Sequence, residues 1–155
     1  MIFIRKADRY ELIVERIIRK SFPELKNKNL KIPEYNFTGT SGGFVPAVNW
    51  TGVHKRCRDY SEKELEALLA YGISNIDYSG NTGFLEALKT FVLMNLDGGA
   101  ERKKIEFEAD RIAIMKGYAR QTYDYTLKHA GSNPRWRYYM TSAQIRDYAK
   151  RIGKW

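Results

Sequence analysis

Leu68-Leu-Ala-Tyr71-Gly72-Ile-Ser-Asn75-Ile-Asp-Tyr78 is the stretch from which the rest of the chain is best read. Upstream, Ser61-x-x-Glu64 has the form of a capping box, which satisfies orphan backbone N–H groups at a helix start. From there Leu65, Leu68, Leu69, Gly72, Ile73 and Ile76 recur at three- and four-residue spacing. They predict the buried stripe of a helix, which Ser79-Gly-Asn-Thr-Gly83 ends. A glycine in mid-helix costs ~1 kcal/mol relative to alanine. Gly72 therefore requires a reason, and close packing of a neighbouring element is the simplest.

Before this helix, Asp8-x-x-Glu11 predicts another capped start, with Tyr10, Ile13, Val14, Ile17 and Ile18 on one face. Phe22-Pro23 stops it, because a residue before proline disfavours the helical region. The pattern then turns β-like, with strands expected over 30–37, 43–50 and 52–57. Thr38-Gly-Thr-Ser-Gly-Gly43 and Thr51-Gly52 are the expected turns, and Pro33 and Pro46 mark edge or bulged strands. The 38–43 loop lacks the lysine and following helix of a phosphate cradle.

After the central helix, one helix is expected over about 84–96, stopped by Asp97-Gly-Gly. Another begins near Glu101, carries Ile105, Ala109, Ile112 and Ala113, is interrupted at Gly117-Tyr118 and closes at His129-Ala-Gly131. A turn over 131–134 leads to a last helix, opened by Thr141-x-x-Gln144 and followed by Gly153. No repeat or linker breaks the pattern, so residues 1–155 are expected to form a single α+β domain.

The central stretch resembles the motif helix of small zincin metallopeptidases, which reads roughly L-x-A-H-E-L-x-H-I-x-D-Y. Tyr71 and Asn75 stand at the two histidine positions, and Gly72 stands at the glutamate. Glu106-Phe-Glu-Ala-Asp110 resembles the gluzincin helix that supplies the third ligand. The resemblance implies a zincin-like fold: an N-terminal helix, a small three-stranded sheet, the motif helix and further helices. It covers about residues 60–120, with weaker similarity in Tyr139-Met-Thr-Ser-Ala-Gln-Ile145. It also implies that Glu106 occupies the third-ligand position and Asp110 the position that orients a ligand histidine, while Glu108 lies on another face.

In an active zincin the paired histidines hold zinc and the glutamate is the general base. Tyrosine is a rare zinc ligand, asparagine a poor one, and glycine has no side chain to take a proton. The expectation is a catalytically inactive relative with neither metal nor other cofactor, in which the Tyr71 hydroxyl bonds Asn75 or a carboxylate. Glu106 and Asp110 are expected as remnants paired with arginine or tyrosine. The enzymatic alternative is a noncanonical site around Glu106, Asp110, His54 and Tyr71; a relocated metal site from His54, Cys57 and Glu106 is a weaker reading, since strand alternation would separate His54 from Cys57. His129, near a helix C-terminus, suits the helix dipole.

Hydrophobic residues at 43% and aromatics at 14% describe a folded chain. The single cysteine, Cys57, excludes an internal disulfide framework and a multi-cysteine zinc cluster. No apolar run approaches the ~18 residues of a membrane span, and the charged start lacks a signal-peptide pattern. A soluble cytoplasmic protein is expected. The net charge of +9 is concentrated late in the chain. Residues 1–110 hold 17 Lys/Arg against 16 Asp/Glu, whereas residues 111–155 hold 10 against 2.

That basic third is interleaved with Tyr118, Tyr123, Tyr125, Trp136, Tyr138, Tyr139, Tyr148 and Trp155. Arg135, Trp136, Arg137, Arg146, Lys150 and Arg151 are the candidate partner-binding residues. A binding or structural role with a protein partner or larger assembly is expected, with nucleic-acid binding as the alternative. No helix-turn-helix, zinc-finger or RNA-binding signature accompanies them.

Overall fold

The computed structural model describes residues 8–36, 42–45, 49–79, 85–86, 89, 92, 99–132 and 134–155. Helix α1, Asp8–Ser21, buries Tyr10, Ile13, Val14 and Ile17. The side chain of Asp8, expected to cap this helix, lies outside the described residues. Phe22 leaves the helical region at φ −132°, ψ 54°, and Pro23 begins a single 3-10 turn to Leu25.

Among the described residues the sheet has three strands. It comprises β1 (Glu34–Tyr35), β2 (Gly42–Val45) and β3 (Trp50–His54) in the order β1-β3-β2. β3 pairs parallel to β1, with Glu34 opposite Val53, and antiparallel to β2, with Phe44 opposite Thr51. Pro33 precedes an edge strand, where its missing N–H breaks no ladder, and its carbonyl accepts from Val53 N at 2.9 Å.

Thr51 and Gly52 belong to β3 rather than to a turn. The left-handed residue is Asn49, at φ 52°, a conformation asparagine tolerates better than most residues. Cys57 lies in a 3-10 turn, Lys55–Asp59, instead of a strand. Residues 38–41 of the expected hairpin loop and Pro46 lie outside the described residues.

Helix α2, Glu62–Ser79, is the central element. Its capping box forms as read: Glu64 Oε2 accepts from Ser61 N at 3.0 Å, and Glu64 N donates to Ser61 Oγ at 3.3 Å. The six stripe residues are buried, but so are Ala67, Ala70, Ser74 and Asn75. Burial of more than one face follows from position, because α2 packs against α1, the sheet and two later helices. Arg16 of α1 reaches both Glu62 and Glu66 of α2, at 2.6 and 2.7 Å.

The expected helix over 84–96 lies largely outside the described residues, although 85, 86, 89 and 92 are helical. Helix α3, Ala100–Ala113, follows Gly99, whose φ is 100°. A β-carbon on Gly99 would lie 2.3 Å from the Tyr138 ring, so both conformation and close approach require glycine there. A π-turn, Ile114–Tyr118, with Gly117 at φ 100° separates α3 from α4, Ala119–His129. A 3-10 turn, Pro134–Tyr138, leads to α5, Ser142–Arg151. Thr141 and Gln144 form the predicted capping box of α5.

Two apolar clusters result. The first joins α1, the sheet and α2 around Ile17, Phe22, Val53, Leu65, Leu69 and Ile73. The second contains Ile114, Ala119, Met140, Ile145 and Ala149, rimmed by Phe107, Tyr123, Tyr148, Ile152 and Trp155. The described residues are thus mostly helical with one small mixed sheet, an α+β arrangement.

Candidate functional site

Gly72 sits where α2 meets β3. A β-carbon there would lie 2.1 Å from Thr51 Oγ1 and 3.2 Å from Thr51 Cβ. The close approach explains the mid-helix glycine, and any larger side chain would displace Thr51 or the strand that carries it.

The polar residues around Gly72 are turned onto α2's own backbone. Ser74 Oγ donates to Ala70 O at 2.8 Å, and Asn75 Nδ2 donates to Tyr71 O at 3.3 Å. Asn75 is fully buried. The hydroxyl of Tyr71 does not bond Asn75 or a carboxylate as anticipated: neither it nor Asn75 Oδ1 has a hydrogen-bond partner among the described residues. Tyr71 instead packs its ring against Tyr139, with centroids 5.6 Å apart.

Glu106, 1% exposed, faces Arg102 one turn earlier at 3.4 Å. Asp110, 4% exposed, accepts the backbone N–H of Met140 at 2.9 Å rather than an arginine or tyrosine. Burial pushes the Asp110 carboxyl up to about 7, and the Met140 bond offsets only part of that. Glu108 lies on another face and pairs with Arg111. The 139–140 segment thus ties the two halves of the motif together, because Tyr139 meets Tyr71 and Met140 meets Asp110.

This donor set does not fit catalytic zinc. A phenol, an amide and a glycine stand where a zincin site would need imidazole, imidazole and carboxylate, and Glu106 is paired with a guanidinium. Among the described residues, no group of three His, Cys, Asp or Glu side chains could hold a metal ion. His54 and Cys57 are likewise not brought together with Glu106. His54 Nδ1 accepts from Arg56 N at 3.1 Å, and Cys57 is fully buried in the first core.

His129 ends α4, as its dipole role predicts, but it also has a specific partner. Glu64 Oε1 meets His129 Nε2 at 2.8 Å and Lys128 Nζ at 2.9 Å. Burial alone would raise the Glu64 carboxyl, yet bonds from Lys128, Ser61 and His129 bring it down to about 2. One side chain therefore caps α2 and clamps the end of α4 to it. The sequence shows only the capping half, because nothing local links positions 64 and 129.

Trp136 is half-buried and packs against neighbouring rings. Its ring lies 6.1 Å from Tyr125 and 5.3 Å from Tyr139, and Nε1 donates to Ser132 Oγ at 3.0 Å. Tyr60, His129, Tyr125, Trp136, Tyr139 and Tyr71 form a continuous run of rings beside α2. Arg137 donates to the Tyr138 hydroxyl at 2.6 Å and lies over that ring. Arg146 meets Asp147 at 3.7 Å, while Lys150 and Arg151 are exposed on α5. The side chain of Arg135 lies outside the described residues.

The basic residue that pattern reading missed is Arg120. Its guanidinium lies 3.8 Å from the centre of the Trp155 ring. The signal was faint, since an arginine and an aromatic 35 positions apart share no local spacing. A separate surface groove of about 840 Å³, beside α1 and the 23–32 segment, contains none of the predicted site residues. Among the described residues, no helix is long and apolar enough to cross a membrane. No family model matches this chain, and neither a curated protein nor a solved structure matches it.

Proposed function

We propose that the protein is a non-hydrolytic binding protein on a zincin-like scaffold, and that its basic C-terminal third engages an anionic partner within a larger assembly. The observation that carries the non-hydrolytic part is the contact at Gly72. The position of the zincin base is filled from outside by Thr51, so the space a catalytic carboxylate would need is occupied by the sheet. Tyr71 and Asn75 support the same reading, because they offer zinc a phenol and an amide.

Metal analysis of the full chain, purified with zinc present, tests this directly. The expected content is far below one zinc per chain and unchanged by Glu106→Ala. Stoichiometric zinc that disappears in Glu106→Ala would overturn the reading.

The binding part rests on unneutralised charge. Arg120, Arg137, Lys150, Arg151 and Lys154 have no carboxylate within salt-bridge distance among the described residues. By contrast Arg16, Arg58, Lys116 and Lys128 are each paired. A face of this kind attracts anions over roughly a Debye length, about 8–10 Å at moderate salt. Retention on a polyanion resin should fall with salt and be lost in Arg146→Glu/Lys150→Glu/Arg151→Glu. Retention unaffected by that triple change would place the partner surface elsewhere.

A further inference from the structure

We infer that the partner of the basic face is a single-stranded nucleic acid, held by Arg120, Lys150, Arg151 and Lys154 over the aromatic rim of the second core. This rests on the anionic-partner reading above and narrows it to one chemistry. It also moves the contact away from Trp136, whose ring is used internally.

The rim is covered by cations. Arg120 lies over Trp155, and Trp155 is met nearly edge-on by Tyr123 at 5.2 Å and 84°. The Tyr148 ring has Arg111 at 5.7 Å and Arg151 at 5.3 Å. Lys103 lies 5.5 Å from the Phe107 ring. Arg111 is already paired with Glu108, but Arg120 and Arg151 are exposed and keep their forks for another acceptor. Lys150, in the last turn of α5, and Lys154, just beyond its end, are also exposed.

A guanidinium resting on a ring is planar, weakly hydrated and held in place, so less freedom is lost when its N–H groups meet a phosphate. Its outer face can take an unpaired base, since bases stack on arginine planes as well as on aromatic rings. A duplex hides those base faces. A membrane surface fits less well, because the exposed α5 positions are Ala143, Gln144, Arg146, Asp147, Lys150 and Arg151, with no large apolar side chain to insert. An acidic peptide would use the charges and leave the stacked planes unused.

Fluorescence anisotropy of the full chain with labelled oligothymidylate and oligouridylate of about 16 nucleotides, within the site sizes of single-strand binders, tests this. Four phosphate contacts predict a log–log salt slope of about −3, hence about 50-fold weaker binding between 50 and 200 mM salt. Lys154→Ala should reduce the slope by about 0.7. Arg120→Lys keeps the charge but loses the plane, so binding should weaken about 5-fold or more with the slope unchanged.

Equal affinity for a duplex of the same length would overturn the single-strand assignment. Binding to polyglutamate but to neither oligonucleotide would overturn this inference and leave the anionic-partner reading standing. Binding to no polyanion would overturn both. Unchanged thermal melting of each variant distinguishes loss of contact from loss of fold.

Discussion

The middle of α2 and the outer faces of α4 and α5 treat polar side chains in opposite ways. In α2, Ser74 and Asn75 are buried and donate to α2's own carbonyls, and Gly72 leaves room only for Thr51. On α4, on α5 and just after it, Arg120, Lys150, Arg151 and Lys154 stand in water without a carboxylate partner among the described residues. The first region uses its polar groups to complete the interior, and the second leaves them for something else. A helix that resembles a catalytic motif can therefore be ordinary core, while the surface we propose as the binding face lies on elements with no motif.

Substitutions can break this comparison, and the largest effects belong to the interior. Glu106→Ala should cost about 4 kcal/mol in chemical denaturation, because it strands Arg102 in a mostly buried position. A cost under about 1 kcal/mol would show that the pair is solvated and the region less interior than described.

Asp110 gives the next largest effect, and its sign is definite. Its folded value of about 7 lies above the ordinary carboxyl value, so the unfolded chain releases this proton first as pH rises. Stability from this group is full below about pH 4 and declines towards pH 7, by at most on the order of 4 kcal/mol. Asp110→Asn should flatten that slope and be the more stable protein above pH 7. Glu64 works in the opposite direction: with its folded value at about 2, its contribution is present above about pH 4.5 and is lost as pH falls towards 2. Melting curves from pH 2 to 8 for wild type, Asp110→Asn and Glu64→Gln would separate the two.

Gly72→Ala should cost about 2 kcal/mol, although alanine is the better helix former, because its β-carbon collides with Thr51. Thr51→Ala should recover most of that loss in the double mutant; additive losses would mean that the contact is not what requires glycine. The smallest effect sharpens the contrast. Lys150→Ala, Arg151→Ala and Lys154→Ala should each change stability by less than about 0.5 kcal/mol while weakening polyanion binding.

Much of the helical frame was legible because its signals are local. Ser61 and Glu64, Thr141 and Gln144, Phe22 and Pro23, and Gly117 each act on their own turn of backbone. The sheet was legible only in part. Thr51 and Gly52, expected as a turn, lie in β3, and Cys57, expected in a strand, lies in a 3-10 turn, because pairing depends on partners the local pattern does not specify. The motif positions could be numbered from sequence, but not the roles they take. Tyr71 packs on Tyr139 and Asp110 holds Met140, each through contacts distant in sequence.

By itself the amino-acid order determined the capped starts of α2 and α5, the stop of α1 at Phe22-Pro23, the buried stripe of α2, the unusual donor set at positions 71, 72 and 75, and the concentration of charge after residue 110. Caps, periodicity and charge act within a few residues, so they can be read along the chain. Tertiary structure alone decided that Thr51 fills the space beside Gly72, that Glu64 clamps His129, and that Arg120 rests on Trp155. Those contacts join residues 21, 65 and 35 positions apart, and only the packing of the whole core brings such residues together.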